Sequence, residues 1–127
     1  MRLLIAERSP ILRKRLTRLF SELEYVSLVA FVEELVDVHN IALEVKPDVI
    51  VIDIDFPNRP NLKILSVLKA ELQQLKTLVL TETTEPRYIR AFKNSGADMV
   101  FNKKDDLNIF IGHLKLINDV VLTSPVE

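Results

Sequence analysis

Residues 47–57, PDVIVIDIDFP, decide how this chain is built. Val49, Ile50, Val51 and Ile52 form an unbroken β-branched run, too short for a helix and apolar on both faces. That is the pattern of a central strand in a parallel sheet covered on both sides. The strand carries Asp53 to its carboxyl end, Asp55 follows, and Pro57 stops it. In open α/β sheets that end is where ligands and reactive groups gather. A lone aspartate there often only caps the next turn, so the role of Asp53 depends on what the other strands bring beside it.

Outward from this strand the chain repeats one unit, strand then helix. Toward the amino end, residues 3–6 are a short apolar run ending in Glu7 and Arg8, and Ser9-Pro10 suits a helix N-cap with proline in the first turn. Leu12, Leu16, Leu19, Phe20 and Leu23 then share one helical face, with the cations Arg13, Lys14, Arg15 and Arg18 mostly off it. Residues 25–32, YVSLVAFV, read as a strand near the sheet edge, and residues 33–46 as a helix ended by Pro47. Toward the carboxyl end, residues 58–61 (NRPN) read as a turn and Leu65, Leu68 and Leu72 mark a third helix. Leu78, Val79 and Leu80 form another buried strand that delivers Thr81 and Glu82. Thr84 is the expected N-cap of a fourth helix, which Ser95-Gly96 closes. Met99, Val100 and Phe101 make the last strand and deliver Asn102 and Lys103; Leu107, Phe110, Ile111, Leu114 and Ile117 define the final helix. Five such repeats demand right-handed crossovers, a parallel sheet and helices on both of its faces.

Composition narrows the function. The 127 residues, 48% hydrophobic, suffice for one domain with a real core, expected over residues 1–118 with 119–127 as a tail or the start of a linker. Lys+Arg 17 against Asp+Glu 18 gives a net charge of -1, so no global field draws the domain onto nucleic acid or an anionic membrane. With Cys 0 and His 2, disulfides and zinc sites are out of reach, and His39 and His113 lack partners at ligand spacing. No stretch approaches the roughly 20 apolar residues of a membrane helix, and a cytoplasmic location is the expectation. Gly 2 in the whole chain argues against a phosphate-binding loop.

In this order and at these separations, Leu4-Ile5-Ala6-Glu7-Arg8-Ser9, PDVIVIDIDFP, Leu80-Thr81, Ser95-Gly96-Ala97-Asp98 and Lys103 resemble the receiver domain of two-component response regulators. The resemblance implies a (βα)5 doubly wound, flavodoxin-like fold with strand order 2-1-3-4-5. The helices after strands one and five would lie on one face and the other three on the opposite face. It also implies that Asp53 is the phosphoacceptor served by a histidine kinase, that Thr81 binds a phosphoryl oxygen, and that Lys103 pairs with Asp53 and then with the phosphoryl charge. Such a domain is a signalling module rather than an enzyme. A carboxylate that accumulates negative charge needs such a cation and such a hydroxyl donor, and normally a divalent metal.

The departures from that family shape the expected mechanism. Where the family has an acidic pair for Mg²⁺, the second position is Arg8, which cannot ligate a metal. Glu82 stands at the entrance, where a small residue is usual; Val100 occupies the place of a switch aromatic; Asn61 and Lys104 replace a glycine and a proline. If Arg8 turned inward, Glu7 and Asp53 against Arg8 and Lys103 would sum to zero. A dication about 5 Å from Arg8 would then cost several kcal/mol even at an effective dielectric of about 20. The leading expectation is therefore an atypical receiver with weakened or lost Mg²⁺-dependent phosphorylation, no resident cofactor, and signalling by protein contacts. Arg8 would replace the metal within salt-bridge reach of Asp53 or Glu7. The alternative is an ordinary receiver in which Arg8 moves aside and Glu7, Asp53 and Asp55 hold Mg²⁺. A small flavodoxin-like enzyme or nucleotide binder ranks last. Self-association or partner docking is expected on the face of the fourth helix, fifth strand and fifth helix, around Tyr88, Arg90, Lys93, Val100 and His113, as the resemblance implies.

Overall fold

The computed structural model describes residues 1–54, 59–105 and 107–123. Strands and helices alternate: β1 (Arg2–Ala6), α1 (Pro10–Ser21), β2 (Ser27–Val32), α2 (Leu35–Val45), β3 (Val49–Asp53), α3 (Arg59–Glu71), β4 (Lys76–Thr81), α4 (Pro86–Asn94), β5 (Met99–Asn102) and α5 (Leu107–Thr123). The five strands are all parallel in the order β2-β1-β3-β4-β5, as the resemblance implied. Between β1 and β3 the winding reverses, and in this topology the crevice outside the strand ends opens there.

Strand β3 shows why the central run is apolar throughout. Its side chains alternate between faces: Val49 and Val51 join Leu16 and Phe20 of α1 and Phe110 and Leu114 of α5. Ile50 and Ile52 join Val38 and Ala42 of α2, Leu65 and Leu68 of α3, and Phe92 of α4. The helices thus divide two against three, as expected. Phe110 is gripped by Phe20, centroids 5.9 Å apart, and edge-on by Phe101 at 4.9 Å.

At the amino ends of the strands, two aspartates clamp neighbouring strands. Asp48 Oδ2 accepts the Arg2 N–H at 2.8 Å, and Asp98 Oδ2 accepts the Thr77 N–H at 2.7 Å. Gly96 has φ +124°, and a Cβ there would meet the Leu65 carbonyl oxygen at 3.0 Å, so the turn into β5 passes tight against α3. Among the described residues no helix is long and apolar enough to cross a membrane.

Several boundaries differ from the sequence reading. Arg59 and Pro60 open α3 rather than a turn, since proline suits the first helical turn. The N-cap of α4 is Glu85, not Thr84, with Pro86 following. Thr83 Oγ1 accepts the Glu85 N–H at 3.2 Å, and this side-chain turn sets the entry one residue later. Helix α5 runs through residue 118 to Thr123, helped by Lys115 and Asp119 one turn apart at 3.9 Å.

Candidate functional site

Strand register assembles the site. Ala6 pairs with Ile52 and Asp53 with Leu80, so Glu7, Asp53 and Thr81 leave adjacent strands within one residue of the same level. Thr81 pairs with Asn102 and its carbonyl accepts the Lys103 N–H at 2.9 Å, which sets Lys103 just beyond. Lys103 Nζ lies 2.5 Å from Asp53 Oδ1, and both side chains are largely buried. The predicted acceptor and its cation are therefore in direct contact.

Glu7 is buried. Its Oε1 accepts the Ser9 N–H at 3.0 Å, while Ser9 Oγ accepts the Leu12 N–H and caps α1. Its Oε2 is buried with no hydrogen-bond donor among the described residues. The Asp53 carboxyl lies within hydrogen-bonding reach of Glu7. Burial and this facing carboxyl, opposed by Lys103, push Asp53 up from 3.8 to about 8. A proton on Asp53 supplies the one donor that the acid pair lacks.

Two buried carboxyls beside one lysine, when both ionise, leave one negative charge uncompensated. These are oxygen donors of the kind magnesium takes, and among the described residues no third His, Cys, Asp or Glu joins them. Glu7 and Asp53 would hold such a cation, which when bound would neutralise charge on a transferring phosphoryl group. Asp55, the further acid expected in this set, lies outside the described residues.

Arg8 departs from the expectation. Its guanidinium points away from Glu7 and Asp53 and pairs with Glu34, Nη2 to Oε2 at 3.0 Å, with the two side chains 79% and 53% exposed. Paired there, the guanidinium keeps its hydration instead of losing several kcal/mol on burial. It does not take the metal's place in this structure.

The remaining positions fall around this core. Thr81 is fully buried, and its Oγ1 accepts the Thr83 N–H at 3.3 Å, leaving its own O–H free to donate. Glu82 is exposed, and its carbonyl accepts from Asn102 Nδ2 at 3.4 Å, tying the two loops at the pocket mouth. Val100 is half-buried against the cluster that includes Tyr88, while the aromatic Phe101 faces the other side, against Phe110 and His113. Lys104 is exposed and donates its N–H to Asn102 Oδ1 at 2.9 Å. Asn61 lies in the first turn of α3. His39 pairs with Glu71 at 2.5 Å, across α2 and α3. Glu34 is the residue that sequence reasoning missed, since nothing local marks a partner 26 positions from Arg8. Thr83 was passed over for Thr84, although the Thr81-x-Thr83-x-Glu85 spacing marks it: each threonine oxygen accepts the N–H two residues on.

Comparison with known proteins agrees with this fold. The profile of the response regulator receiver domain matches residues 3–115. A nitrate/nitrite response regulator protein homolog of Haemophilus influenzae is 24% identical over 129 residues, covering 100% of this chain, which spans 62% of that protein. Among solved structures, the signal receiver domain of the putative response regulator NarL from Mycobacterium tuberculosis superposes with TM-score 0.82 at 15% identity, covering 93% of this chain and 95% of that one. The response regulator domain of Thermotoga maritima CheB gives 0.78 at 21%, covering 98% of each.

Proposed function

Because the chain belongs to the response regulator receiver domain family, we propose that it accepts a phosphoryl group on Asp53 from a histidine kinase, with transfer weakened by the loss of one acid at Arg8. The observation that carries this reading is the Asp53–Lys103 contact at 2.5 Å, held at the strand ends beside Glu7 and Thr81. In the transfer, one Asp53 oxygen forms the new bond to phosphorus as the bond from phosphorus to the donor's leaving nitrogen breaks, and the departing group keeps that electron pair. Lys103 then neutralises the phosphoryl oxygens and the Thr81 hydroxyl donates to one of them. Ser9 holds Glu7 in place. The domain is thus a signalling acceptor rather than an enzyme turning over a diffusible substrate.

Two further features weaken the transfer. A protonated Asp53 is not a nucleophile, so the raised pKa keeps the resting site inert near neutrality until a cation displaces the proton. Glu82, exposed at the mouth, repels an anionic donor. A second reading, signalling by protein contacts without phosphorylation, draws on the same two features. Under either reading, output passes through the α4, β5 and α5 face to a partner or a second copy, because Ile109, Leu116 and Val120 form an exposed apolar stripe on α5 there. The test is a titration with the phosphoryl mimic beryllofluoride, with magnesium, followed by NMR. Saturable shifts centred on Thr81 and Lys103, absent in Asp53→Asn, are expected; an unresponsive site would favour the contact-only reading.

A further inference from the structure

We propose that copies of this chain associate head to tail, the outer face of α2 on one molecule docking onto the outer face of α1 on the next, at the β2 edge of the sheet. The two surfaces carry opposite charge and matching apolar anchors.

Helix α1 turns Leu16 and Phe20 into the core and presents Ile11, Lys14, Arg15 and Arg18 outward, with Ile11 75% exposed. Its first turn holds no acid. Arg13 is engaged by Glu33 at 2.6 Å, but among the described residues Lys14, Arg15 and Arg18 make no ion pair. The Lys14–Arg18 ridge has a groove on each side. One, of about 450 Å³, is bounded by Ile11, Arg15 and Leu19, with one acid, Glu22, at its end; the other, of about 610 Å³, by Pro10, Arg13, Thr17 and Phe31, the last 43% exposed.

Helix α2 turns Val38 and Ala42 inward and leaves Val36 and Leu43 outside, 81% and 38% exposed. Asp37 and Glu44 stand next to these two anchors and, among the described residues, have no ion-pair partner. Seven residues of helix span about 10 Å, the breadth of a helix with its side chains. Val36 and Leu43 can therefore straddle the Lys14–Arg18 ridge, one anchor in each groove, bringing Asp37 and Glu44 against the unpaired cations.

One molecule cannot satisfy itself. Helix α1 packs on one face of the sheet and α2 on the other, so the complementary surfaces point to opposite sides of the same edge. A contact between two different surfaces that face opposite ways does not close into a pair; it extends into a ring or an open chain. It also leaves the α4, β5 and α5 face, at the far edge, free.

The test is weight-average mass by sedimentation and light scattering from micromolar to millimolar protein. The wild type should climb past the dimer at low salt, and high salt should weaken association about tenfold because the exposed charges are screened. K14E/R18E and D37K/E44K should each be monomeric, and their equimolar mixture should associate again, since each reversed surface then meets its opposite. Val36→Ser should weaken association at every salt concentration, and circular dichroism should show all variants folded. A monomer at all concentrations, a dimer plateau surviving both reversals, or a mixture that stays monomeric would each overturn the proposal.

Discussion

Asp53→Asn should make the protein more stable above neutrality and leave it unchanged near pH 4. In the folded chain, burial and the facing Glu7 raise the Asp53 carboxyl from 3.8 to about 8 against the pull of Lys103. Its raised pKa means that the folded protein keeps a proton that the unfolded chain has shed. Stability is untouched below about pH 4, falls as the pH rises from about 4 to about 8, and carries the full deficit above that. A rise of roughly four units at about 1.4 kcal/mol each sets a ceiling near 6 kcal/mol. Water entry and side-chain relaxation around an ionised pair reduce this to on the order of 2–3 kcal/mol. Asparagine keeps the shape and loses the charge, and Glu7 remains as counter-ion to Lys103. The assay is denaturant unfolding in a chelator at several pH values. Equal midpoints above about pH 8 would show that the carboxylate ionises in place at no cost. An asparagine variant less stable at every pH would show that the Asp53–Lys103 contact is net stabilising. Either result refutes the reasoning.

Glu7→Gln should lower magnesium affinity at least tenfold, about 1.4 kcal/mol, by removing the buried oxygen that has no donor; isothermal titration reads it directly. Arg8→Asp should raise magnesium affinity by about tenfold, restoring the acidic pair, and a variant no tighter than wild type would place position 8 outside the site's field. Gly96→Ala should destabilise by about 1–3 kcal/mol, from a Cβ forced into a left-handed backbone and against the Leu65 carbonyl; chemical denaturation measures it.

The fold was legible because period and punctuation agree along the chain. Residues 49–52 are apolar at every position since both faces of β3 are covered, and Pro10, Pro47 and Gly96 stand where helices begin or end. The site was legible to the extent that strand ends fix it: Glu7, Asp53, Thr81 and Lys103 each sit at or just beyond the end of a strand, and parallel register does the rest. Arg8 was not legible. Adjacency to Glu7 says that it is near the pocket, but its direction is set by the ion pair with Glu34, just past the carboxyl end of β2. The aspartate clamps were half visible, as Asp48 and Asp98 each precede a strand, yet the N–H groups they bind belong to neighbouring strands 46 and 21 positions away. The length of α5 was missed because residue 117 closes its recognised apolar face, while Asp119 and Val120 continue the helix on its exposed side.

The most direct test of the account is to incubate the protein with a small acyl phosphate donor, with and without magnesium, and to locate any adduct by mass spectrometry. A single phosphoryl group on Asp53, dependent on magnesium, slower than in Arg8→Asp and absent in Asp53→Asn, is the predicted result; a wild type that stays unlabelled at saturating magnesium, or labels at another residue, would contradict it.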